Sequence, residues 1–570
     1  DSLSIYNKYK ANTIINIEND IFNLIDDIDN INFAKIDQIS KKLGVEENDK
    51  RRIKACFVYI MEVLTFKKGD TYLLYDEIKN NLNKYLKITV DDELLKLYID
   101  ELRLERKIVL ENNKFYLKKI FDDEHNIVDS ISQLVNKDIE KNKNIDKYIK
   151  MSEEEKEISY NQKQKEAIKK ALENNILIIT GGPGTGKTTI IETIVEIYKE
   201  IKDLTYDDLI DKIALLAPTG RASKRMSEAT NLPATTIHRF LKWNKENNEF
   251  MVNETNKDFS ELVIIDEVSM IDINLFSSLF KGITTNAKLI LVGDYNQLPS
   301  VGAGNILKDL IDCQKIDTIY LDLLYRQDEN SYINNLAHDI KNGNLSEEFL
   351  KTKNDYAFLN CSSDSILETL KTTCQRLVEK DIDQKRIQLM APMYAGINGI
   401  DNLNKELQKI FNPEDHNKNE IRYGDIVFRE NDKILQLVNM PDDNVFNGDV
   451  GYIKYIIKAA NSKSKKNEIY VDYDGNVVKY LPKDFNKIKH GFIISIHKSQ
   501  GSEFDLVIIP ICMSYYRMLY RKLIYTAITR AKKKLIIIGE ANAFKYSVDN
   551  NNEYIRKTNL CEKLKNMYND

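Results

Sequence analysis

Eight short apolar runs punctuate the chain beyond residue 161: "ILIIT", "IALLAP", "LVIIDE" and "KLILVGD", then "IQLMAP", "FIISIH", "LVIIP" and "KLIIIG". Uncharged runs of this length, separated by stretches of helical period, are the pattern of strands buried on both faces of a parallel sheet. They predict an α/β architecture with two such sheets, each covered by helices. Between residues 421 and 486 the pattern shifts to short strands punctuated by Asn447-Gly448 and Asp474-Gly475, dipeptides that favour tight hairpins. A small β-barrel inserted in the second parallel-sheet unit is therefore expected. Upstream, "DIFNLIDDIDNINFAKIDQISKKLG" (20 to 44) predicts two short amphipathic helices around a tight turn, and "RRIKACFVYIMEVLTF" continues in helical period. Residues 71 to 120 add helical stretches and "KIVLENNKFYLKKI", whose apolar runs flank Asn112 and Asn113 as in a β-hairpin; the combination suggests a winged helix. The polar segment 137 to 159 reads as a linker or an exposed helix.

Composition narrows the class. At 570 residues the chain exceeds one hydrophobic core, and 42% apolar with 30% charged residues is a globular balance. A formal charge of -5 argues against a generally basic nucleic-acid coat protein while leaving room for local basic grooves. Six cysteines scattered without C-x-x-C spacing exclude a disulfide framework or zinc site and fit a reducing cytoplasm. No run approaches a membrane span, and the N-terminus lacks the apolar core of a signal peptide. Because the chain starts at Asp1 and not at methionine, we expect sequence upstream of it.

Candidate chemistry begins after "ILIIT" with "GGPGTGKTT" (181 to 189), which fits G-x-x-x-x-G-K-[ST] and leads into the helical run "IIETIVEIYKE". Gly182, Pro183, Gly184, Thr185, Gly186, Lys187, Thr188 and Thr189 are the expected nucleotide contacts. Glycines let backbone N–H groups close around phosphate oxygens, Lys187 neutralises β/γ charge, and Thr188 offers a hydroxyl to Mg²⁺. The bland alternative is a glycine-rich turn. "LVIIDEVSM" ends a strand in Asp266, a candidate Mg²⁺ ligand, and Glu267, a candidate base for the attacking water. Without the phosphate loop that pair would read as a solvated helix cap. "GDYNQLPS" offers Gln297 to the γ-phosphate, or else is a simple strand-exit turn.

With these motifs in order, followed by "LLYRQ" (323 to 327), "IHKSQGSEFD" and "IYTAITRAKKKL" (524 to 535), the chain resembles the RecD-like superfamily 1 DNA helicases, without their most N-terminal domain. "APTGRASKRM" (217 to 226), "TTIHRFL" (235 to 241) and "APMYAGINGIDNLNKELQ" (391 to 408) extend the resemblance over roughly residues 155 to 545. The resemblance implies two RecA-like motor domains, at 151 to 340 and at 341 to 420 with 487 to 570, and an SH3-type barrel at 421 to 486. It also implies a helix-hairpin-helix region over 1 to 65, a winged-helix-like region with linker over 66 to 150, and a duplex-splitting pin at 241 to 254 carrying Trp243, which could equally anchor the hairpin. Asn30 and Asn32 replace the glycines of the hairpin turn, which puts DNA binding there in doubt, although asparagine tolerates the left-handed conformation.

By the same resemblance Arg326 and Arg530 reach the developing γ-phosphate charge, or form structural ion pairs. Tyr325 stacks on adenine, or is a core aromatic, and Gln164 reads the adenine edge. Gly501 and Glu503 face the nucleotide phosphate and ribose. Pro218, Thr219, Arg221, Thr236, His238, His497 and Lys498 run along the nucleic-acid strand, with a core histidine and a solvated lysine as alternatives for His238 and Lys498. The implied activity is an ATP- and Mg²⁺-dependent motor moving 5′ to 3′ on single-stranded DNA and opening duplex junctions, as a cytoplasmic monomer. An RNA helicase is the alternative within the motor class, and a nucleotide-switched clamp the alternative outside it.

Overall fold

The computed structural model describes residues 2–28, 31–138, 144–244, 249–322, 331–551 and 554–567. Two all-parallel sheets form its centre. The first has the spatial order Thr318–Leu321, Ile176–Gly181, Lys288–Gly293, Leu262–Ile265, Ile213–Ala217, Ala234–Thr236. The second runs Tyr356–Asn360, Ala531–Gly539, Phe504–Ile511, Ile387–Ala391, Ile493–Ser495. Every apolar run named above falls on a strand. The strands Ala234–Thr236, Thr318–Leu321 and Tyr356–Asn360 lie at sheet edges, and their mixed polar sequence carries no buried-strand signal. Apolar side chains from both faces of each sheet pack under helices, which accounts for the uninterrupted burial along Ile176–Gly181 and Ile387–Ala391.

Two of the expected hairpin turns form as read, while the two-residue turn Gly424-Asp425, which joins Glu420–Tyr423 to Ile426–Arg429, had not been singled out. Asn112 and Asn113 both take positive φ, 49° and 60°, and join Ile108–Glu111 to Lys114–Leu117. Asp474 and Gly475, at 52° and 97°, join Glu468–Tyr473 to Asn476–Tyr480. Both pairs match the primed turn that suits the twist of antiparallel strands. Asn447-Gly448 differs: it forms the middle of a turn closed by Asp449 N–H donating to Phe446 O, at the end of a long excursion between Lys433–Gln436 and Val450–Ile457. The five-stranded antiparallel sheet of the barrel ends with Ile488–His490, beyond residue 486.

The N-terminal helices share one core, with Phe33, Phe57, Leu82 and Ile99 buried beside Phe115 of the hairpin. Asn32 does not take a left-handed turn. At φ -116° it is the N-cap of Phe33–Lys42, and its side chain accepts from Lys35 N–H. Asn30 lies outside the described residues.

Three segments pack elsewhere than sequence spacing suggests. Ile145–Glu155, read as a linker or exposed helix, buries Ile145 and Ile149 against the first sheet's helices. Tyr332–Asn342, assigned to the first motor domain, packs Leu336 and Ile340 into the core of the second sheet, so the crossover precedes residue 331. The segment 554 to 567, assigned to the second domain, returns to the first, where Leu560 and Leu564 enter its core. Arg556 fastens this return. Its Nη1 donates to Ser300 Oγ, Gly302 O and Gly304 O at 3.2, 2.8 and 2.7 Å, and its Nη2 to Ser300 O. Next to it, Lys557 N–H donates to Asp70, Thr71 N–H to Lys557 O, and Gly304 N–H to Gly69 O.

Among the described residues no helix is long and apolar enough to cross a membrane, and the six cysteines are free.

Arg556→Ala removes donors from buried carbonyls, each costing on the order of 1–3 kcal/mol if water cannot replace them. The expected result is a melting temperature lower by several degrees and faster hydrogen exchange at residues 69–71 and 300–304. Unchanged exchange there would show that the return strap is not what holds these loops.

Candidate active site

The first sheet sets the site because its strands are parallel and all end at one edge, where open α/β sheets place their ligands. After Ile176–Gly181 comes the loop "GPGTG". Gly184 (φ 72°) and Gly186 (φ 85°) take conformations open to glycine, and Gly186 caps the helix Lys187–Lys202. The amides of that helix start face the loop, a ready anion site. Lys187 Nζ bends back to Gly181 O and Gly182 O at 2.7 and 2.8 Å, so its charge is held within the loop and is available to a phosphate that displaces these carbonyls. Thr188 is exposed on the first turn, Thr185 Oγ1 donates to Gly182 O, and Thr189 O accepts from Thr193.

Gln164 is buried beneath this loop. Its Oε1 accepts from Asn161 N–H in a capping box, and its Nε2 donates to Thr185 O at 3.2 Å. Both ends of the amide are engaged inside the protein, and a Cβ on Gly186 would collide with it. Gln164 therefore braces the phosphate loop here, with one N–H and one lone pair of its amide beyond these two bonds.

The central strands supply the carboxylates. Asp266 and Glu267 follow Leu262–Ile265, and both are buried. Glu267 holds a left-handed backbone, φ 55°, a strained position for a side chain that wide turns would avoid. Burial and then the neighbouring Glu267 charge push the Asp266 carboxyl up to about 6, against the pull of Arg225 and Lys187. Asp294 and Gln297 follow Lys288–Gly293. Asp294, 1% exposed, accepts from Asn296 N–H and from Gln297 Nε2, while Gln297 Oε1 is buried with no hydrogen-bond partner among the described residues. An orphaned acceptor at this edge marks where a further group fits.

The second sheet closes the cleft with direct bonds. Tyr525 Oη donates to Asp294 at 2.8 Å and stands against Gly182 of the phosphate loop. Burial, with Asp294 beside it, raises the Tyr525 pKa well above 10. Thr526 Oγ1 accepts from Leu298 N–H at 3.0 Å, and Gln500 Nε2 donates to Leu298 O at 3.0 Å. Arg530, 2% exposed, donates to Thr526 O and Ser502 O at 3.2 Å and to Thr529 Oγ1 at 3.4 Å; its partners are carbonyls and a hydroxyl, not a carboxylate. Tyr325 and Arg326 lie outside the described residues.

The residues expected along a nucleic-acid strand gather on a second face. Thr219 caps Gly220–Thr230 and Thr236 caps Ile237–Phe240, each through its side-chain oxygen, with Pro218 just ahead of Thr219. Gly501 (φ 70°) lies against Thr219 Oγ1. Arg221 donates to Ser502 Oγ at 2.9 Å and stacks over Phe504. Lys498 Nζ donates to Asn447 of the barrel at 2.5 Å, Arg239 to Asn444 at 3.1 Å, and Lys224 pairs with Asp474 at 3.1 Å. Burial lowers the pKa values of His238, His497, Lys498 and Arg221; Lys498 adds to the effect at His497. A cavity of about 410 Å³ lies between this face and the barrel. Beside it, Trp243–Asn244 pairs with Glu249–Phe250, and Trp243 meets Phe250 edge-on at 4.8 Å. The hairpin's base is pinned by buried Leu241 and Val252.

Four residues escaped sequence reasoning: Arg225, Asp294, Gln500 and Tyr525. Arg225 could have been found, since it follows Arg221 by one helical turn and shares its face. Tyr525 could not, because only the approach of two domains gives its hydroxyl a partner.

Four domain families match the chain in order: an ATP-dependent RecD2 DNA helicase HHH domain over residues 2–72, an AAA domain over 164–303, an ATP-dependent RecD-like DNA helicase SH3 domain over 403–473, and a UvrD-like helicase C-terminal domain over 490–538. The ATP-dependent RecD2 DNA helicase of Deinococcus radiodurans is 28% identical over 568 residues, covering 98% of this chain and 75% of its own. The RecBCD enzyme subunit RecD of Buchnera aphidicola is 29% identical over 523 residues, covering 79% and 83%. A Pif1 helicase structure from Candida albicans overlaps 72% of this chain and all of its own at 17% identity and a TM-score of 0.42, too partial to add to these matches. With the phosphate loop, the buried carboxylates and the second-domain loops ordered along one cleft, the chain belongs to the RecD-like superfamily 1 helicases.

Proposed function

We propose that this protein is an ATP-driven motor that moves 5′ to 3′ along single-stranded DNA and separates duplexes at a junction, acting in the cytoplasm as a monomer. The observation that carries the proposal is the set of bonds across the cleft. The loop holding Gln297 is tied to the second domain by Tyr525, Thr526 and Gln500, so a change at the γ-phosphate reaches an element that can move.

In this mechanism Lys187 leaves Gly181 O and Gly182 O to meet the phosphates, and Gln297 turns its unpaired Oε1 and its amide toward the γ-phosphate region. Glu267 orients the attacking water and takes its proton. Arg530, with Arg326, answers the developing charge, and giving up two carbonyls costs Arg530 less than breaking an ion pair would. Thr188 and Asp266 would hold Mg²⁺, which when bound neutralises phosphate charge; the raised pKa of Asp266 is what a cation at this carboxylate would relieve. Gly501 and Glu503 face the nucleotide, and Tyr325 stacks on its base.

DNA would pass between the first domain and the barrel, where Thr219, Arg221, Thr236, His238, His497 and Lys498 grip backbone without reading sequence. The contacts now spanning that gap, Lys224 with Asp474, Arg239 with Asn444 and Lys498 with Asn447, are partly exposed. Exposed polar pairs contribute only about 0–1 kcal/mol each, so a strand can displace them and the barrel can swing. The Trp243 hairpin, anchored at its base by Leu241 and Val252, is the wedge.

Lys187→Ala should reduce DNA-stimulated hydrolysis by at least about 100-fold, and Glu267→Gln by about 100- to 10,000-fold with nucleotide affinity nearly kept. Equal loss of binding and hydrolysis in Glu267→Gln would remove Glu267 as the base. ATP hydrolysis measured with no nucleic acid, with a thymidine oligonucleotide and with its uridine RNA counterpart tests the substrate: strong stimulation by DNA alone is expected, and equal stimulation by RNA would overturn the DNA assignment. Shortening the 241–254 hairpin should spare that ATPase and reduce unwinding; undiminished unwinding would discard the wedge.

A further inference from the structure

Arg225 stands between the two domains and touches both walls of the nucleotide cleft. Its Nη1 reaches Glu503 Oε1 at 3.0 Å, and its Nη2 reaches Glu267 Oε1 at 3.5 Å. The first carboxylate belongs to the second domain, at the start of Phe504–Ile511; the second is the candidate base of the first domain. Lys532 Nζ approaches the other oxygen of Glu503 at 3.5 Å. Burial disfavours the Arg225 charge, but Glu503 and Glu267 more than offset this and raise its pKa. A guanidinium presents its donors in a rigid planar fork, and here one arm reaches each carboxylate.

We propose that Arg225 is an interdomain latch that shares its charge between Glu503 and Glu267 and gives up Glu503 when a nucleotide enters. The proposal rests on the assignment of Glu503 to the nucleotide. With Arg225 on one oxygen and Lys532 near the other, Glu503 has both oxygens engaged by cations, and a ribose hydroxyl arriving there competes with them. Once released, the Arg225 fork turns wholly to Glu267 and fixes its carboxylate for the attacking water. Arg225 is thus a positioning residue. It acts on the reaction through Glu267 and on nucleotide entry through Glu503, so its removal moves two quantities in opposite senses.

The test is calorimetric titration of the full chain with a non-hydrolysable ATP analogue, beside steady-state ATPase with single-stranded DNA. Arg225→Gln removes the competitor for Glu503, so the analogue should bind about threefold to tenfold more tightly while kcat falls at least about tenfold. Arg225→Lys, whose single nitrogen replaces the two arms that reach Glu503 and Glu267, should show the same tightening; it carries the comparison if Arg225→Gln melts well below the wild type. A purely structural arginine would weaken binding and turnover together, and unchanged or weaker binding in both variants overturns the latch. Glu503→Gln separates the two claims. Weaker analogue binding by Glu503→Gln, with no tightening in the Arg225 variants, overturns the latch and leaves Glu503 on the nucleotide. Wild-type affinity in Glu503→Gln removes Glu503 from the nucleotide and the latch with it.

Discussion

Asp294 is almost wholly buried, and a carboxylate in that setting is tolerable only if its oxygens are taken up by donors. Three donors come from its own loop, Asn296 N–H, Asn296 Nδ2 and Gln297 Nε2, and a fourth, the Tyr525 hydroxyl, comes from the other domain. A hydrogen bond to a charged buried group is worth on the order of 1.5–3 kcal/mol, several times an exposed ion pair. The two sheets are therefore joined at the loop that would sense phosphate, and more weakly where nucleic acid would pass. This unequal strength is what a cycling machine needs: a firm hinge at the chemistry and a gate that yields.

The return of the chain to the first domain serves the same division. By crossing back at residues 554 to 567, it ties the helices before residue 72 to the loop 300–304 through Arg556 and Lys557. That loop lies a few residues beyond Gln297, so the N-terminal core, the sensing loop and the C-terminal segment form one mechanical body. The barrel is held differently. At its root, fully buried Asp432 accepts from Gln408, Asn412 and Arg429 N–H, while its far edge meets the first domain through exposed polar pairs such as Lys224 with Asp474 and through Phe446 against Gly220. A body fixed at one end and loosely held at the other is free to hinge.

The electrostatics of the cleft follow from what is brought together without solvent. Asp266 and Glu267, adjacent in sequence and buried, repel one another, and Lys187 and Arg225 are the nearby cations. The chain thus places negative charge where a metal and a water would be handled and keeps its cations on mobile arms. Arg530 is held by the carbonyls of Thr526 and Ser502, neutral partners that bind a guanidinium less firmly than a carboxylate would.

By itself the sequence determined the parallel-sheet class, the order of the motor motifs, the barrel and its Asp474-Gly475 hairpin, because burial on both sheet faces and positive φ impose local composition that can be read. It also marked Lys187, Glu267 and Gln297 as a group, since each lies in or just after the loop that follows a strand of that sheet. Tertiary structure alone decided the rest. Edge strands such as Thr318–Leu321 bury only alternate side chains, Ile319 and Leu321, and so carry no apolar run of their own. Tyr332–Asn342 and residues 554 to 567 carry amphipathic faces that fit either domain, so only packing assigns them. Gln164 and Arg225 take their roles from partners 21 and 42 or more residues away, and local spacing holds no trace of distances that exist only once the two sheets have met.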